Sequence, residues 1–170
     1  SYIETELMNI GKKDFEGMSL TSSGKKLTFE KKGGEISYKN GDLNSINLDG
    51  KKKEKLLNFV DETQPIHFND FKPIDHKGLS DLKFDLRLEL KSKSKMIYDL
   101  QFSKAKEDYY LKISSRLENL PEKIVISKDD DKKKLAGVED LLKAQKQVNQ
   151  FNLSNSRWIF KIDKENTFRP

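Results

Sequence analysis

From Leu82 to Leu90 every second residue is apolar: Leu82, Phe84, Leu86, Leu88 and Leu90 alternate with Lys83, Asp85, Arg87 and Glu89. A period of two sends one set of side chains to one face of an extended strand and the other set to the opposite face. A helix would spread the same pattern around its circumference and bury nothing. The polar run Lys91-Ser92-Lys93-Ser94-Lys95 interrupts the alternation, and Met96, Tyr98, Leu100 and Phe102 restart it. This stretch predicts an antiparallel hairpin with one dry face and one charged, wet face.

The flanking chain repeats that theme in shorter pieces. Ile3, Leu7 and Ile10 stand at near-helical spacing before Gly11 stops the turn. Met18 with Leu20, Leu27 with Phe29, and Ile36 with Tyr38 predict three short strands. Turns at Ser22-Ser23-Gly24, Gly33-Gly34 and Asn40-Gly41 join or close them. Asp49 is placed to cap a helix whose inner face holds Leu56, Phe59, Val60 and Thr63, with Leu57 beside them, although Lys51, Lys52 and Lys53 oppose its dipole. Pro65 ends that helix, Ile66 and Phe68 suit another strand, and residues 69–78 read as a linking loop. Tyr109, Leu111 and Ile113 predict a third strand beside the hairpin, and Ile124-Val125-Ile126 a short buried one. Ser127 and Asp129 to Asp131 suit the start of a second helix with Leu135, Val138, Leu141 and Leu142 on one face, continuing towards Val148. Trp158, Phe160 and Ile162 predict a closing strand, and 164–170 a tail.

The order predicts an α+β fold of about eight or nine antiparallel strands covered by two helices. Residues 1–170 read as a single domain. Within it, 15–70 and 78–163 form two half-units, each a small sheet under one helix, without a residue-level repeat between them.

Composition narrows the function classes. The net charge of +5 is a difference between 33 basic and 28 acidic residues, so the surface is mixed in sign. Arginine occurs only at 87, 116, 157 and 169, whereas nucleic-acid readers rely on its planar fork; nucleic acid is not an expected partner. There is no cysteine, hence no disulfide and no thiolate chemistry. No run approaches the roughly 18 apolar residues that cross a bilayer.

Reactive constellations are correspondingly sparse. His67 and His76 with Asp70 and Asp75 have a metal-like composition but match no ligand spacing. Asp129-Asp130-Asp131 lacks the spaced oxygens of a calcium loop. No phosphate-binding glycine loop or nucleophile elbow is present. The expectation is a non-enzymatic chain with no cofactor and no resident metal. Tyr109, Tyr110 and Trp158 could stack a ligand, and Lys83 and Arg87 lie on the charged stripe; these five make up the candidate ligand or partner surface. A protein partner is the first functional expectation. A small ligand or glycan held in a groove between the half-units is the alternative.

Several phrases, in order, resemble the bacterial family called domain of unknown function 4340. They are Phe15-Glu16-Gly17-Met18-Ser19-Leu20, Lys26 to Lys31, Lys55 to Val60, Gly78-Leu79-Ser80-Asp81-Leu82, and Asp108-Tyr109-Tyr110-Leu111. The chain departs from the family pattern at Ser80-Asp81, where many members carry a proline, and at Tyr38, where they carry a tryptophan. The resemblance implies an extracytoplasmic domain behind an N-terminal signal or anchor, associated with transporter-type membrane components. It carries no catalytic residues.

Overall fold

The computed structural model describes residues 6–118 and 132–162. They form one ten-stranded sheet in which every pairing is antiparallel, with two α-helices. In chain order these are β1 (Glu6–Met8), β2 (Phe15–Ser22), β3 (Lys25–Lys32), β4 (Glu35–Asn40), β5 (Ile46–Asn47), α1 (Gly50–Thr63), β6 (Ile66–Pro73), β7 (Leu86–Ser92), β8 (Met96–Ala105), β9 (Asp108–Leu117), α2 (Lys132–Asn155) and β10 (Trp158–Ile162). Across the sheet the order is β1-β6-β10-β9-β8-β7-β2-β3-β4-β5.

The α+β class stands, with slightly more strands than expected. Strands of the 15–70 and 78–163 segments share this one sheet: β7 pairs with β2, and β10 with β6. Three additions were hidden from sequence reading, one of them the two-residue β5, which pairs with β4. Glu6–Met8 is a strand on β6 rather than a helical turn. The expected loop at 69–78 is strand as far as Pro73, because β10 supplies partners for Phe68 and for Asp70 to Pro73 from far along the chain. The expected strand at 124–126, the cap at 127–131 and the tail lie outside the described residues.

Register explains the core. Leu20 stands opposite Leu88, Leu88 opposite Leu100, and Leu100 opposite Ile113. Leu88, Leu100 and Ile113 are at most 2% exposed. Such cross-strand apolar rows are the unit that stabilises a sheet. Helix α1 adds Val60 and Thr63, with Leu56 and Leu57 packed against the same cluster. Asp49 caps α1 by accepting from the Lys52 N–H at 2.9 Å. One of the three unfavourable lysines has a tertiary role, since Lys53 Nζ donates to the Gly34 carbonyl at 2.8 Å.

Helix α2 rests on β9 through its C-terminal half, where Val148 is buried. Leu135, Val138 and Leu141 are half-buried, but Leu142 is 48% exposed. Consecutive helical residues point about 100° apart, and with Leu141 turned inward Leu142 lies beyond the margin of the packed face.

Phe151 of α2 meets Tyr98 edge to face at 5.2 Å between ring centroids. Burial, and secondarily the Asp14 carboxylate, pushes the Tyr98 phenol above its usual value of 10.0. Between about pH 10 and that raised value the folded state keeps a proton that the unfolded chain has lost. The associated stability is therefore complete below pH 10 and disappears as pH rises through the folded value. Tyr98→Phe keeps the ring contact without the ionisation. Its urea midpoint is expected to fall less than the wild type's above pH 10; parallel falls would contradict this.

Candidate functional site

The charged stripe is a network rather than a set of isolated side chains. Glu89 and Asp99 stand directly opposite each other on β7 and β8, a like-charge pair that would destabilise the sheet if left alone. Arg87 answers Asp99 with two hydrogen bonds, Nε to Oδ1 at 2.9 Å and Nη2 to Oδ2 at 2.5 Å, and lies 3.2 Å from Glu89. Arg116 on β9 reaches Glu89 at 3.2 Å, and Lys91 reaches Glu118 at 2.6 Å. The Asp99 hydrogen bond raises the Arg87 pKa against the opposing effect of partial burial. Arg87 is thus committed to neighbours within the sheet.

At its N-terminal end β7 leaves the sheet. The last pair is Leu86 with Phe102, and residues 82–85 pair with nothing among the described residues. The cause lies in the neighbouring strand of the sheet, which comes five strands earlier in the chain. β2 ends at Ser22, opposite Leu86, to make its turn at Ser23-Gly24, so 82–85 has no strand on that side either. A 3-10 turn at Lys77–Leu79 holds the other end, with the Leu82 N–H on the Leu79 carbonyl at 3.2 Å. Phe84 is therefore not in the ladder. Its ring lies 4.2 Å from the Lys112 ammonium, which belongs to the charged face.

Between the departing segment and the end of β8 is a cleft of about 400 Å³, within the range of ligand sites. Leu82, Leu86, Phe102 and Tyr109 give it apolar walls; Asp81, Lys83, Asp85 and Lys104 charge its rim. Ser103 and Ala105 complete the β8 side. The Lys104 ammonium is 5.4 Å from the centre of the Tyr109 ring.

Of the five expected surface residues, this notch unites only Lys83 and Tyr109. Tyr110 follows Tyr109 on an extended strand and so faces the opposite side of the sheet. Trp158 packs against Phe71 at 5.2 Å between centroids and against the core. Arg87 stays in its ion-pair network. Lys104, Ser103 and Phe102 escaped sequence reading as site residues, because their place at the notch depends on where β7 leaves the sheet; Lys104 is exposed, whereas Phe102 and Ser103 are buried. Among the described residues no cluster of three or more metal-ligating side chains occurs, and His76 uses its Nδ1 to accept the Gly78 N–H at 3.2 Å.

The ladder also fixes where backbone groups point. β8 and β9 are joined by the two-residue turn Lys106-Glu107, with Lys106 at φ 58°. Such a turn makes Ala105 and Asp108 a hydrogen-bonded pair, and strict alternation then aims the N–H and C=O of Phe102 and Lys104 towards β7. Phe102 finds Leu86 there. Lys104 would find Phe84, and no backbone hydrogen bond joins them.

The opposite end of β9 has the same geometry and a different outcome. The N–H and C=O of Ser115 point to the β10 side, beyond the last β9–β10 pair. Asn152 of α2 fills that place, its Oδ1 accepting from Ser115 N at 2.7 Å and its Nδ2 donating to Ser115 O at 2.9 Å. Compared with known proteins, the chain matches no family model, no curated protein and no solved structure.

Proposed function

We propose that this chain is a non-catalytic, extracytoplasmic domain of a membrane-anchored or secreted bacterial protein, and that it works by holding a protein partner at the notch. The observation that carries the binding reading is the notch itself, a cleft of ligand-site size with apolar walls and a rim of both charge signs. The compartment and the association with a transporter-type membrane assembly rest on the resemblance of those ordered phrases to the bacterial family. A small-ligand reading is favoured by one detail: the Tyr109 ring with the Lys104 ammonium beside it offers an aromatic wall and a cation.

The test uses the protein in the organism that carries it. A photocrosslinking amino acid at position 83, on the rim of the notch, is expected to trap a discrete protein adduct in the cell-envelope fraction. The same group at position 39, on β4 towards the far edge of the sheet, is expected to trap none. Equal labelling from both positions, or none from 83, would overturn the partner reading. Recovery of the protein in the cytosol would overturn the compartment.

A further inference from the structure

We infer that the notch takes an extended peptide segment of the partner, added as a short strand to β8 at Lys104. This inference rests on reading the notch as a binding site and names what enters it.

The lining indicates the shape of the occupant. A cavity between layers is lined by one face of a sheet. Here Leu86 and Phe102 from the dry face and Ser103 from the charged face border the same space, with Asp85 of the departing segment beside them. That combination is what two strands diverging within the plane of the sheet produce, and a further strand fits such a gap. One backbone donor and one acceptor, both of Lys104, already point into it. At Ser115 the protein closes the equivalent gap with the side-chain amide of Asn152, a copy of a peptide group. At Lys104 no side chain of the described residues does so.

Charge favours the same occupant. Two lysines and two aspartates at the rim leave no net sign, which suits a neutral backbone better than a phosphate or a nucleotide. An added strand would alternate, with apolar side chains towards Phe102 and Tyr109 and polar ones towards Ser103.

The probe is a blocked tetrapeptide of alternating valine and threonine, followed by amide NMR of the whole chain. Saturation is expected to shift the Lys83, Lys104 and Ala105 amides and to slow hydrogen exchange at Lys104 about tenfold. N-methylation of the peptide at the residue facing β8 removes one backbone hydrogen bond and is expected to weaken binding about tenfold. Lys104→Pro deletes the N–H that points into the notch while sparing the β8–β9 ladder, and is expected to weaken binding to the same degree. Lys104→Ala keeps both backbone groups and is expected to bind like the wild type, which separates the backbone from the ammonium. Undiminished binding by the methylated peptide or by Lys104→Pro would overturn strand addition and leave the notch as a site of another kind. Absence of any shift at the notch would overturn the peptide assignment, while the crosslinks from position 83 judge the broader partner reading independently.

Discussion

Leu100→Ala is expected to cost the fold about 3 kcal/mol, the middle of the range for emptying a fully buried leucine position. Leu100 is 0% exposed and lies in the central row, with Leu88 on one side and Ile113 on the other. Both neighbours sit on laddered strands and cannot collapse into the void without breaking register, so the cavity term stays large. In a chain of this size the melting temperature should fall by roughly 6–12 °C, and the urea midpoint should fall with an unchanged slope. Leu82→Ala is the informative comparison. Leu82 belongs to the same sequence stripe but is half-buried beyond the last β7–β8 pair, and its loss is expected to cost about 1 kcal/mol or less. Equal losses at 82 and 100 would mean that the dry face continues through the notch.

That comparison also marks how far the sequence could be read. Periodicity located the hairpin, the β2–β3–β4 meander, α1 with its Asp49 cap and the closing strand, since each depends on side chains close along the chain. It carried Leu82 and Phe84 into the strand, because nothing in the stripe itself reports that β2 stops at Ser22, opposite Leu86. The same limit hid the extension of β6 to Pro73, which needs β10 some ninety residues later. Of the candidate site, Lys83 and Tyr109 were legible as a cation and an aromatic residue on opposite faces of a sheet. Lys104 was not, since its significance lies in a backbone direction set by the Lys106-Glu107 turn. Tyr110, Trp158 and Arg87 show the converse: residue type suggested a surface, and register distributed them elsewhere.

Asn152→Ala is expected to destabilise the protein by about 3 kcal/mol, as much as a core truncation, although Asn152 is only half-buried. The substitution leaves both the N–H and the C=O of Ser115 without their partner at a residue that is 6% exposed, and each unsatisfied group costs about 1–3 kcal/mol. The better helix propensity of alanine returns about 0.6 kcal/mol, which sets the net figure. Leu153→Ala, one position along α2 and 64% exposed, should stay within about 0.5 kcal/mol of wild type and controls for the helix itself. Urea denaturation gives the magnitudes, and faster amide exchange at Ser115 locates the defect. Wild-type stability in Asn152→Ala would mean that an open backbone pair at the end of this sheet is well served by water. The open pair at Lys104 would then exert no pull on a strand from a partner, so the fate of Asn152→Ala also bears on how the notch is filled.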